Sequence, residues 1–226
     1  MKPLFLLTLL CLCGHAFGQE MATPFYLIGK AGIGFANQYG PDATSETRLN
    51  WERADRYYAN HPASRRFQPS PAFFLGIGKR FGKLYALEIG AGYVQKGAKI
   101  HFSNVDGSAR WKQEYLSIPL YNKFYVGRNR QLFFVGGAFL DVLLRATEKG
   151  KTSDATYERE RGANPIDGGV ALGVGYDLNW RDRRRFALEL IDHLSFVSYG
   201  REMVPQPQRY YNQSLELKLA YRLAFR

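Results

Sequence analysis

The chain has 226 residues, a net charge of +11, 15 tyrosines, 16 phenylalanines and two cysteines, Cys11 and Cys13. Both cysteines fall in an N-terminal apolar run that reads as a removable leader, which excludes a disulfide framework and thiolate chemistry for the remainder. A leader combined with a basic balance excludes nucleic acid as the partner and points to anionic lipid headgroups.

The leader comprises Lys2, the apolar run 4–13 and the small residues Ala16 and Gly18, with cleavage expected after Gly18, so residues 1–18 are a signal peptide and 19–226 one domain. Ten apolar residues are too few for a helix to span a bilayer, which takes about twenty. The remaining chain has no second candidate helix, yet its mean hydropathy of −0.32 conceals long period-two segments.

Eight strands are predicted. The first covers 25–38, with Phe25, Leu27, Ile33 and Phe35 on one parity and Lys30, Gly32 and Gly34 on the other; a polar stretch, 39–70, follows. The second covers 71–81 and closes on the turn Gly82-Lys83, and the third runs from 84 to about 102, with Glu88 and Lys96 opposite Tyr85, Leu87, Ile89 and Tyr93. A loop at 104–109 leads to the fourth, 111–126, and a short turn at 127–131 to the fifth, 132 to about 146, whose apolar run leaves its facing open. Residues 147–165 read as a charged loop, 166–180 as the sixth strand, 181–185 as a turn, 186–198 as the seventh, 199–208 as a loop and 210–226 as the eighth. The eighth alternates without a break from Leu215 to Arg226.

Long and short connections alternate, as they do in outer-membrane barrels with short periplasmic turns and long extracellular loops. An even strand number puts both termini in the periplasm. The expected fold is therefore an all-β, eight-stranded, antiparallel, up-and-down transmembrane β-barrel with a side-chain-filled lumen. Eight strands leave just enough interior for side chains. Lys30, Arg80, Glu88, Lys123, Glu189, Glu216, Lys218 and Arg222 take the inward parity and are expected to pair across the lumen, because an unpartnered buried charge is costly.

Three segments resemble the PorT-like outer-membrane β-barrel family: Gly29-Lys30-Ala31-Gly32-Ile33-Gly34, Gly92-Tyr93-Val94-Gln95-Lys96-Gly97, and Tyr115-Leu116-Ser117-Ile118-Pro119-Leu120 followed by Lys123. The resemblance follows the strand order of the whole mature chain. It implies an outer-membrane barrel of a Gram-negative bacterium, and for some members a link to a protein secretion system.

The leading functional expectation is a non-enzymatic scaffold that interacts through its extracellular loops. Arg48, Trp51, Arg53, Arg56, Tyr57 and Tyr58 in the first long loop suit lipopolysaccharide phosphates, glycans or an envelope or secretion-system protein. The alternative is a lipid-modifying enzyme resembling outer-membrane lipid A deacylases. There His193 would activate Ser195, two residues away on one strand face, and Glu189 or Glu216 would orient the histidine. His61 and His101 stand alone without zinc-type spacing, so no metal site is expected, and nothing calls for a cofactor.

Overall fold

The computed structural model describes residues 25–40, 51–53, 56–58, 63–102, 107–152, 156–160, 163–180, 183–197 and 211–224. The leader expected over 1–18 lies outside them. Eight long strands carry the fold: β1 (Phe25–Tyr39), β2 (Gln68–Phe81), β3 (Tyr85–Lys96), β4 (Gly107–Val126), β5 (Leu132–Thr152), β6 (Ile166–Trp180), β7 (Arg183–Ser195) and β8 (Tyr211–Ala224). Each pairs antiparallel with its sequence neighbour. β8 then pairs back onto β1, from Tyr26↔Ala224 to Tyr39↔Tyr211. The sheet closes into a ring, which satisfies the backbone groups that an open edge would leave unpaired.

Alternation sorts the two faces. Outward side chains include Phe25, Ile33, Leu75, Ile89, Ile118, Phe134, Leu172, Leu188 and Leu219, all large, apolar and exposed. The inward parity buries Tyr26, Ile28, Phe74, Tyr121, Tyr125, Phe133 and Ile191 together with the charged residues. Phe25 pairs with Lys79 near the 82–84 turn, so the start of β1 and the end of β8 lie at the end with the short connections.

The structure departs from expectation where polar residues had suggested loops. β4 begins at Gly107, inside the expected 104–109 loop. β5 continues to Thr152, and Thr156–Glu160 folds back on it, so much of the expected charged loop 147–165 is a hairpin. Once a strand leaves an apolar environment its outward residues need not be apolar, but the pleat and its pairing continue. The expected third strand is divided: β3 ends at Lys96 and pairing with β4 resumes at Lys99–Phe102. Between them Gly97 takes φ +120°, and a Cβ there would lie 2.2 Å from the Trp111 carbonyl oxygen, so only glycine fits this step. Ala63–Arg66 adds to Lys99–Phe102. On one side of the ring, therefore, a wall of Ala63–Arg66, Lys99–Phe102, the start of β4, the end of β5 and Thr156–Glu160 rises beyond the other strands. Trp51–Arg53 and Arg56–Tyr58 form a separate small hairpin.

Interior glycines make room for rings. Gly76 and Gly90 sit opposite each other, and a Cβ on either would come within 2.8 Å of the Phe74 ring. A Cβ on Gly175 would lie 2.3 Å from Phe133 Cζ. Overpacking of this kind costs about 1–3 kcal/mol. Gly175→Val is expected to lower the urea midpoint for unfolding from detergent micelles by a corresponding amount; an unchanged midpoint would show that Phe133 does not need the space.

Candidate functional site

The strongest concentration of chemistry lies inside the ring. Lys30 on β1, Glu88 on β3, Lys123 on β4 and Glu189 on β7 come from four strands and meet in a closed square of alternating charge. Its sides are Lys30–Glu88 2.8 Å, Glu88–Lys123 2.7 Å, Lys123–Glu189 2.5 Å and Glu189–Lys30 2.8 Å, and none of the four side chains is exposed. Arg222 leans on the square from β8, 3.9 Å from Glu88 and 4.0 Å from Glu189, and donates to Asp177 on β6 at 2.7 Å. The Tyr26 hydroxyl donates to Glu88 at 2.9 Å. Three cations face three carboxylates, so the group is neutral as a unit.

A second group lies toward the long-loop end. Glu216 meets both Lys218 and His193, the latter at 3.3 Å through Nδ1, and accepts from the Ser214 hydroxyl at 3.3 Å. His193 Nε2 lies 2.9 Å from the Tyr121 hydroxyl, and the two rings stack with 11° between planes. Nδ1 faces the Glu216 carboxylate without completing a hydrogen bond to it, and Nε2 shares its hydrogen bond with the Tyr121 hydroxyl.

The third group is built on Lys96, which contacts Asp141 at 2.6 Å and Asp167 at 2.9 Å. Asp141 and Asp167 stand directly opposite each other on β5 and β6, so Lys96 separates two carboxylates that would otherwise repel. Ser195 donates to Asp167 at 2.8 Å and accepts from Lys96 at 3.3 Å, and Asn212 donates to Asp167 at 3.3 Å. The Lys96 ammonium also lies 4.3 Å from the centroid of the Phe139 ring.

Of the expected lumen residues, the structure brings Lys30, Glu88, Lys123, Glu189 and Arg222 into one network and places Glu216 and Lys218 in another. Arg80 is the exception. It is half-buried at the short-turn end, its guanidinium 4.1 Å from the Tyr125 ring centroid, beside Lys83, Arg128 and Arg130. Inward parity did not reveal that its position lies past the last interior layer. Lys96, Asp141, Asp167 and Asp177 were missing from the expected network. Lys96 and Asp177 had the correct parity, and Asp141 was the lone carboxylate in the apolar run 132–146, which was itself a signal.

His193 and Ser195 share a face, but their polar contacts go to different groups, Tyr121 and Glu216 for one and Asp167 and Lys96 for the other. Glu189 belongs to the charge square. Glu216 contacts the histidine, as one of the two orienters considered. In the first long loop, Arg48 lies outside the described residues, and Trp51, Arg53, Arg56, Tyr57 and Tyr58 are placed only as the backbone of the small hairpin. His101 is exposed, and His61 lies outside the described residues. Among the described residues no group of three or more His, Cys, Asp or Glu could hold a metal ion.

A closed antiparallel ring of eight strands, oily outside and ion-paired inside, defines a β-barrel of the outer-membrane type. The family described as outer membrane protein beta-barrel domain matches residues 28–196, and the chain belongs to it. No functionally curated protein matches the chain by sequence. Among solved structures it is similar to Ail, the attachment invasion locus protein of Yersinia pestis, at 12% identity over 89% of this chain and 99% of that one, with a TM-score of 0.40. It is also similar to Neisserial surface protein A, at 12% identity over 88% and 97% with a TM-score of 0.42. A third is the outer membrane protein OprG from Pseudomonas aeruginosa, at 8% identity over 89% and 97% with a TM-score of 0.39. The likeness is one of fold.

Removing one acidic corner leaves the two lysines of the square sharing a single carboxylate and the buried network with an uncompensated charge, at a cost of about 3–5 kcal/mol. Glu88→Ala is expected to lower the unfolding free energy by that amount. Adding Lys123→Met should return part of the loss, because one orphaned charge is then gone. Strictly additive losses in denaturant titrations would show that the two residues are not coupled.

Proposed function

We propose that the ring spans the outer membrane of a Gram-negative bacterium, with both termini and the short turns in the periplasm and the long loops outside. The protein acts there as a non-enzymatic scaffold whose loops, basic and aromatic in the first long connection, meet lipopolysaccharide or an envelope protein; the PorT-like resemblance adds a secretion system, to which some members are linked. The observation that carries this reading is the outward belt of exposed apolar side chains on all eight strands. Such a surface is unfavourable in water and at home in hydrocarbon.

The interior supports a closed lumen. The charge square ties β1, β3, β4 and β7 across the ring, and buried aromatic rings fill the space around it. Opening a path for ions would require charge pairs to separate in a space that holds Phe74, Tyr121 and Phe133. The non-enzymatic reading is favoured over lipid modification at His193 and Ser195 by burial, since His193 is 2% exposed and Ser195 0%. An acyl chain lying along the outer wall has no path to either. The separate hydrogen-bond partners of the two side chains point the same way.

In planar bilayers the wild-type protein is expected to give no steady open-channel current, and unitary conductance steps at low voltage would overturn the closed-lumen reading. Mass spectra of lipid A from cells with and without the protein are expected to be identical; a lost acyl chain would establish the enzyme instead.

A further inference from the structure

The wall that rises beyond the apolar belt has two unlike faces. Its inner face buries Ile100, Ala109 and Trp111, with the Arg65 guanidinium 6.0 Å from the Trp111 ring centroid. Its outer face continues, along β4, the parity of the belt residues Leu116 and Ile118. On that outer face the register aligns like charges. Arg66 stands opposite Lys99, Lys99 opposite Arg110, and Arg110 opposite Lys149. All four side chains are exposed.

Neighbouring strands lie about 4.8 Å apart, so four positive charges occupy a row about 14 Å long. One carboxylate closes the far end, Glu158 at 2.8 Å from Lys149. Like charges directly opposite each other destabilise a sheet, and no burial compensates here. An anion bridging the strands would relieve the repulsion with charge-assisted hydrogen bonds. Toward the belt, the cations Lys112 and Arg145 are each accompanied by an acid, Glu114 at 2.6 Å and Glu160 at 3.6 Å. The excess positive charge is therefore in the row itself.

Height selects the kind of anion. Arg110 lies six residues beyond Leu116, about 20 Å along a strand and roughly 15 Å along the membrane normal for a tilted one. A phospholipid headgroup layer adds only about 5–8 Å per side. The row therefore stands above ordinary headgroups but beside the surface of a lipid whose headgroup is a tall saccharide. It also faces sideways, along the wall, rather than upward into solvent.

We propose that Arg66, Lys99, Arg110 and Lys149 bind the phosphate groups of a phosphorylated saccharide headgroup, on a glycolipid anchored in the leaflet at the long-loop end. This rests on the membrane-spanning reading above, and it assigns the lipid partner to the outer wall rather than to the 48–58 segment.

The test uses the full chain purified in zwitterionic detergent and titrated with rough lipopolysaccharide carrying core phosphates, with the same material stripped of phosphate, and with inositol hexakisphosphate. Each removed charge should cost about fivefold in affinity, so the R66Q/K99Q/R110Q variant should bind the phosphorylated glycolipid about a hundredfold more weakly. K83Q/R128Q, which removes charge at the opposite end, should bind like wild type. Heat-dependent gel migration after reconstitution into phosphatidylcholine vesicles reports whether each protein has folded and inserted. An inserted triple variant with wild-type affinity overturns the proposal and leaves the membrane reading standing. Equal binding of the phosphate-stripped glycolipid also overturns it, and inositol hexakisphosphate bound as tightly as the glycolipid would assign the row to a soluble polyanion. Wild type that fails to insert removes the membrane reading and this proposal together.

Discussion

Charge enclosed by a ring of β-strands is cut off from water, and the interior of this protein is organised around that constraint. Each ammonium or guanidinium group inside must find a carboxylate at contact distance or be expelled, because the desolvation cost of a lone buried ion is several kcal/mol. The square of Lys30, Glu88, Lys123 and Glu189 meets the requirement with each residue serving two neighbours. Since the four side chains come from strands on different sides of the ring, the pairing also joins opposite walls. An apolar filling of equal volume could be as stable. What the ion pairs add is direction, since a hydrogen-bonded corner has one arrangement and an oily one has several.

The square in turn dictates its surroundings. Long side chains reaching the axis leave space near the wall unevenly filled, and aromatic rings laid over glycines occupy it. Phe74 lies over the facing pair Gly76 and Gly90, Phe133 over Gly175. The Lys30 ammonium then lies 4.9 Å from the Phe74 centroid and 4.5 Å from that of Tyr121, so the same rings that fill volume also face the charge. Glycine on the inward parity, which in a soluble sandwich would weaken a strand, is here the counterpart of a large side chain from a neighbouring strand.

How much of this could be read beforehand follows from the range of each interaction. The outward belt was legible because it depends only on parity within one strand; Leu217, Leu219 and Tyr221 are exposed where alternation put them. The identity of most interior charges was legible for the same reason. Their partners were not, because which residues meet depends on the stagger accumulated around the closed ring, a property of all eight strands at once. Arg80 shows the limit from one side: parity placed it inward, but depth along the axis put it at the short-turn end, over Tyr125. His193 and Ser195 show it from the other. Adjacent on one face, they lean toward different strands and join different networks. Asp141 stood out as a carboxylate in an apolar run whose facing parity left open, and the pairing of Thr156–Glu160 with the end of β5 was hidden by a charge content that reads as loop.

The tall wall shows why interior and exterior respond to different demands along one strand. On β4 the inward parity is buried without interruption from Ala109 to Tyr125, first against the wall's own cover and then against the charge networks. The outward parity of the same strand changes from Leu116, Ile118 and Leu120 to Glu114, Lys112 and Arg110 within a few residues. A pleated strand allows this because its two faces share a backbone and nothing else, so one can be fixed by the need to neutralise enclosed charge while the other follows the medium outside. In a ring built this way the interior side chains are committed to ion pairs and packing. On the outward faces beyond the belt, a change of side chain disturbs neither the ring closure nor the ion pairs that hold it.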